Sequence, residues 1–203
     1  MGTEERSRCL IFTYGTLKRG FPNHGLIEDL MPTGDAIFLG SYQTVERYPL
    51  VCGPFRVPFL INLRGHGDRV WGELYAVTGK GLERMDELEG TNRGHYERLP
   101  VEIVQADEAA HGNEKKVAEV VRAEAYYAHR SYGEELWRRN GERGFCRYSE
   151  EEACGDIVHE QITNGFLILV LLPTKNLDFF LGSLVANFSA DESMSGNSWI
   201  ESS

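Results

Sequence analysis

Apolar positions in the first ~105 residues come in short runs with period two, broken by glycine and proline. In residues 9–14 (CLIFTY), Ile11 and Thr13 alternate with Leu10, Phe12 and Tyr14, the pattern of a strand. Further strands are expected at 36–44, 50–52, 59–63, 70–77, 96–105 and 123–128. Within 70–77, Trp71, Glu73 and Tyr75 fall on one face, and Gly72, Leu74 and Ala76 on the other. Many short strands with few helices between them predict an α+β fold, a small barrel or a strongly curved sheet.

The helical period is rarer. Asn23 is placed to cap a short helix carrying Leu26, Ile27 and Leu30. Residues 78–90 (TGKGLERMDELEG) predict a second helix that stops at a glycine. Ser131 with Glu134, and Ser149 with Glu152, have the spacing of capping boxes and predict two more. The stretch 107–121 (DEAAHGNEKKVAEVV) reads as an exposed polar loop.

Residues 1–157 read as one domain and 158–203 as an atypical, partly disordered tail. The tail holds five acidic residues and one basic one. Its apolar run 166–172 (FLILVLL) falls far short of the ~20 residues a membrane-spanning helix needs. The run suits either a strand on an open sheet edge or an aggregation-prone segment.

Charge narrows the class of partner. With 31 acidic and 21 basic residues the formal net charge is −10, which argues against nucleic acid or an anionic membrane. The amino-terminal MGTEERSRCL has no apolar signal region, and Cys9, Cys52, Cys146 and Cys154 form no C-x-x-C pair. A reduced, cytoplasmic chain, monomeric by default, is the expectation. There is no phosphate-loop motif and no G-x-S-x-G. Gly65-x-Gly67 and Gly79-x-Gly81 lack the third glycine of a dinucleotide fingerprint, and no histidine pair has metal-ligand spacing. No cofactor and no metal are expected.

Two segments carry candidate chemistry. At Tyr14-Gly15-Thr16-Leu17 a strand runs into a glycine turn whose successive N–H groups could cup an anion; the plainer reading is that Gly15 permits a tight turn. In the helix at 78–90, at about 100° per residue from Leu82, Met85 falls near 300° and Glu89 near 340°. Glu89 is thus aimed at the core, Asp86 sits on the flank near ~40°, and Glu83, Arg84 and Glu87 face solvent. A carboxyl so placed has a raised pKa and suits proton transfer; the alternatives are a structural glutamate accepting backbone N–H bonds and a frayed last turn that leaves Glu89 in water.

Taken in order, IFTYGTLKRGFPNHGLI, YPLV, GELYAV, MDELEG and HYERLPVEI resemble the γ-glutamylcyclotransferase family, over roughly residues 9–156. The likeness is greatest to its γ-glutamylamine cyclotransferase branch and the avirulence-induced plant proteins grouped with it. The resemblance implies a small mixed β-barrel with a few flanking helices and cofactor-free cyclisation of a γ-glutamyl compound to 5-oxoproline. It implies Glu89 as acid/base, and Tyr14, Gly15, Thr16, Leu17 and Tyr96 as substrate-binding residues, with Arg98 in the family's Tyr-x-Arg element. The YGTL turn followed by Lys18 and Arg19 disfavours glutathione, and the basic pair could meet a carboxylate. A non-catalytic metabolite-binding relative is the alternative. The tail resembles nothing in the family.

Overall fold

The computed structural model describes residues 7–53, 56–106 and 119–149. The boundary expected at 157/158, the helix expected after Ser149 and the run 166–172 lie outside the described residues. The elements are β1 (Arg8–Thr13), α1 (Gly25–Leu30), β2 (Ala36–Thr44), β3 (Leu50–Cys52), β4 (Pro58–Leu60), β5 (Trp71–Thr78), α2 (Gly79–Glu89), a 3₁₀ turn (Thr91–Arg93), β6 (Tyr96–Gln105), β7 (Val120–Ala128) and α3 (Gly133–Arg139).

Five strands close a mixed barrel in the order β1-β5-β2-β6-β7, with β7 returning to β1. Four of its seams are antiparallel; the β1–β7 seam, where Ile11 pairs with Glu124, is parallel. An odd ring cannot alternate direction all the way round, so one parallel seam is required. The far end of β7 accepts β4 instead, pairing Tyr127 with Leu60, and β3 pairs outside β4. The edge of β7 is therefore shared between β1 and the β3–β4 hairpin, and the two meet where β1 ends.

Alternation along β1 and β5 sorts side chains into two layers. Phe12, Leu74, Val101, Ile103, Ala125 and Tyr127 fill the barrel. Ile11, Tyr75, Val77, Ile27, Leu30 and Met85 are buried too, because α2 covers β5 and β1 and in turn meets α1. Each large apolar side chain so buried contributes about 1.5–3 kcal/mol.

Several expectations need correction. Asn23 does not cap α1, whose N-cap is His24 without a side-chain bond; its amide donates to Thr16 Oγ1 at 2.9 Å. Ser131 forms no capping box, since its hydroxyl lies 2.9 Å from His129 Nδ1 and α3 starts after Tyr132. β7 begins earlier than 123 because Val120, Val121 and Arg122 pair with Val104, Ile103 and Glu102. β4 ends at Leu60, short of 63, because the Leu63 N–H turns back to Ile61 O and Gly65 and Gly67 bend the chain at positive φ.

Candidate active site

The carboxyl end of β1, the end of α2 and the far half of β7 converge on a cavity of about 300 Å³, counting its open mouth. It is lined by Phe12, Thr13, Tyr14, Gly15, Thr16, Leu17, Pro58, Glu89, Tyr96 and Tyr126. All six residues singled out from sequence therefore border one space.

Glu89 owes its position to both ends of α2. Thr78 caps the start, accepting from Gly81 N–H at 3.3 Å and donating to Asp35 Oδ1 at 2.9 Å. Gly90 ends it in the left-handed conformation, φ 63°, with its N–H on the carbonyls of Asp86 and Glu87. Glu89 is the last helical residue, its side chain aimed inward as its phase predicts, while Glu83, Arg84 and Glu87 are exposed. No residue among those described hydrogen-bonds its carboxyl. Desolvation first, and the Asp86 charge second, push it up to about 8. The structural-glutamate alternative, a carboxyl satisfied by backbone N–H groups, is not what the helix end builds.

The turn after β1 is fastened from three sides. Lys18 N–H closes it onto Gly15 O at 3.1 Å, and Asn23 N–H binds Thr16 O at 3.1 Å. Arg19 is held by Glu73, which accepts its N–H at 3.0 Å and its Nε at 2.9 Å. Burial would raise the Glu73 carboxyl, but the Arg19 donors and the Tyr75 hydroxyl outweigh it and hold it below the usual carboxylate range. With Lys18 and Arg19 so engaged, the N–H groups of Gly15, Thr16 and Leu17 have no acceptor among the described residues. Gly15 needs its missing side chain for a reason other than the expected turn geometry: a Cβ there would stand 2.8 Å from Pro58 Cγ.

Of the basic pair, Lys18 is buried, Arg19 is exposed, and neither lines the cavity. Lys18 donates to Tyr148 O at 2.8 Å and lies over the Phe21 ring. Arg19 stacks on Phe38, 4.0 Å from the ring centre, beside its pair with Glu73.

Three tyrosines complete the wall. Tyr14 donates to Tyr126 O at 2.6 Å and accepts from Leu60 N–H at 3.1 Å. Tyr96 donates to Pro58 O at 3.0 Å, stacked on Phe59. Tyr126 donates to Asp86 Oδ1 at 2.8 Å. Burial raises all three phenols, and the nearby Glu89 charge adds to the shift in each. Arg98 does not line the cavity; it binds Asp86 through Nε at 3.1 Å and Nη2 at 3.3 Å, and also pairs with Glu124. Tyr126, Pro58 and Glu73 escaped the reading of sequence alone. Tyr126 and Tyr127 are adjacent and both buried, so alternation alone does not say which faces the cavity.

Residues 11–143 match the family described as Gamma-glutamyl cyclotransferase, AIG2-like. The chain belongs to this family. An Arabidopsis thaliana protein whose name assigns it to the γ-glutamylcyclotransferases is 57% identical over 149 residues, covering 72% of this chain and 80% of that protein. The human γ-glutamylaminecyclotransferase is 39% identical over 111 residues, 54% of this chain and 71% of the human one. Among solved structures, the crystal structure of a mouse AIG2-like protein superposes with a TM-score of 0.57 at 31% identity, covering 70% of this chain and 88% of that chain. Among the described residues no helix is long and apolar enough to cross a membrane, and no group of three His, Cys, Asp or Glu could hold a metal ion.

Proposed function

We infer that the chain is a γ-glutamylcyclotransferase acting on γ-glutamyl amines, with Glu89 as its acid/base. The observation that carries this reading is a carboxyl with no hydrogen-bond partner among the described residues, desolvated in a cavity that the 15–17 turn, with its unpaired N–H groups, also lines.

A γ-glutamyl compound bears an α-ammonium, an α-carboxylate and a γ-amide on one short chain. Once it is held folded, attack of the amine on the γ-carbonyl is intramolecular and proximity comes from the substrate itself. A new C–N bond closes the five-membered ring of 5-oxoproline, and the old amide C–N bond breaks to release the amine. The ammonium loses two protons in becoming the lactam nitrogen, and the departing nitrogen gains two to leave as an ammonium. Glu89 takes the first proton before attack and returns it to the departing nitrogen, then relays the second from the ring nitrogen to the released amine, a contribution of about 10²–10⁴-fold. A pKa of about 8 keeps the carboxyl protonated near neutrality, with a proton to give, and makes it a stronger base than an ordinary carboxylate once ionised, a form that an approaching ammonium favours. The N–H groups of Gly15, Thr16 and Leu17 bind the α-carboxylate. The Thr16 hydroxyl, which accepts from Asn23, has its own proton available beside them. Tyr14 and Tyr96 shape the wall against which the folded substrate rests. The relatives named for γ-glutamylamines support that branch.

The test is release of 5-oxoproline from γ-glutamyl-ε-lysine, γ-glutamyl-alanine and glutathione, with Glu89→Gln alongside. Product from the γ-glutamylamine, lost by at least about 10²-fold in the variant, is expected. Binding without product in the folded chain would instead mark a metabolite-binding module.

A further inference from the structure

We propose that Tyr126, set by the Asp86–Arg98 pair, binds the α-ammonium of the substrate as a hydrogen-bond acceptor; this rests on the function proposed above. The three cavity tyrosines share one property. Each hydroxyl proton is committed to a protein acceptor: Tyr14 to Tyr126 O, Tyr96 to Pro58 O and Tyr126 to Asp86 Oδ1. Only lone pairs are left for a ligand, so this wall can accept hydrogen bonds and cannot donate them. An ammonium, with three N–H donors and no acceptor, is the complement of such a wall.

Tyr126 is the best secured of the three in this role. Asp86 receives the Tyr126 hydroxyl and the Arg98 guanidinium on Oδ1, and a second Arg98 nitrogen on Oδ2. A carboxylate held by a guanidinium is acceptor-only, so the Tyr126 hydroxyl cannot reverse its direction. Register enforces the arrangement: Arg98 on β6 stands directly opposite Tyr126 on β7, so both reach the same face of α2. With Glu124 also on Arg98, the cluster holds two carboxylates against one guanidinium, an excess of negative charge that favours a cation nearby. Asp86 lies three residues before Glu89 on α2, so the carboxylate that orients the Tyr126 hydroxyl and the proton-transfer group share one rigid element. The donors of the 15–17 turn and the acceptors of this wall together make a two-signed cavity, matched to a free α-amino acid head. Tyr126 touches the substrate, whereas Asp86 and Arg98 are positioning residues.

Calorimetric binding of L-glutamate and glutarate tests this without turnover. The two ligands share both carboxylates and differ by the ammonium. In the unmodified chain L-glutamate is expected to bind at least about tenfold more tightly, and in Tyr126→Phe that preference is expected to fall severalfold while glutarate is unaffected. A purely structural hydroxyl would weaken both ligands together. Should Tyr126→Phe fail to melt cooperatively, Asp86→Ala provides the second variant. It frees the hydroxyl proton to point into the cavity, and the preference is again expected to fall. No measurable binding of glutamate, a ratio near one in the unmodified chain, or a ratio unchanged in the variant overturns the proposal. Absence of 5-oxoproline from every γ-glutamyl substrate is a separate result that would overturn the function itself.

Discussion

A side chain on Gly15 would begin 2.8 Å from Pro58 Cγ. The carbonyl of that same proline accepts the Tyr96 hydroxyl, so the turn after β1, the start of β4 and the cavity wall are packed as one unit. Gly15→Ala must move Pro58, and with it the anchor of Tyr96. The variant is expected to lose about 1–3 kcal/mol of stability, as overpacked sites do. Its kcat/KM for 5-oxoproline release should fall at least about tenfold, since misplacement by an ångström is enough to cost that much. Denaturant melts and initial rates check both, and an unchanged midpoint would show that Pro58 yields freely.

Glu73 predicts a different kind of loss. It lies outside the cavity and acts through Arg19, whose N–H and guanidinium it binds, and it also accepts the buried Tyr75 hydroxyl at 2.8 Å. Glu73→Ala leaves that hydroxyl unpaired and loosens the 15–19 turn. A stability loss of about 1–3 kcal/mol is expected, discounted because Arg19 is more than half exposed. KM should rise severalfold while the pH dependence of turnover stays in place. A KM equal to that of the parent chain would count against the role of Glu73 in holding the turn.

Period and punctuation in the sequence carry much of this architecture, and their failures have physical causes. β2, β3 and β6 follow alternation between clear turn signals, and their limits agree with expectation. The inward aim of Glu89 follows from helical phase alone, since Gly90 stops α2 directly after it. The capping expectation fails where the side chain bonds a different nearby partner: Asn23 turns to Thr16, and Ser131 to His129. The start of β7 was hidden in a charged stretch because Arg122 is tolerated on the exposed face opposite Glu102. Tyr126, Asp86 and Arg98 meet only because β6, β7 and α2 pack together, a long-range relation that no local pattern encodes.

With Glu89 as the proposed acid/base, its carboxyl is expected to set the pH dependence of turnover. In the free enzyme its carboxyl titrates at about 8, raised first by desolvation and next by Asp86. The first step needs the ionised form, so kcat/KM is expected to rise with pH through about 8. Asp86→Asn removes the smaller of the two causes and should move the rising limb to lower pH without restoring an ordinary carboxyl. A pH–rate profile of both chains decides; a limb that shifts upward, or does not shift, would remove Asp86 from the electrostatics of the site.

The same group leaves a mark on stability that can be read without substrate. Its pKa is raised from 4.5 in the unfolded chain to about 8 in the fold. Below the lower value both states hold the proton, and above the upper value neither does. Between them the folded chain keeps a proton that the unfolded chain has released, so folding weakens by about 1.4 kcal/mol for each unit of rising pH at most. The contribution is therefore fully present in acid and is lost as pH climbs through about 8. Glu89→Gln has no such proton to lose. The stability of the variant minus that of the parent is expected to grow steadily between the two pKa values and then level off. Other titrating groups cancel in this difference because they are common to both chains. Chemical denaturation at a series of pH values measures it, and a flat difference would mean that the Glu89 carboxyl is solvated in the folded chain and ordinary in its acidity.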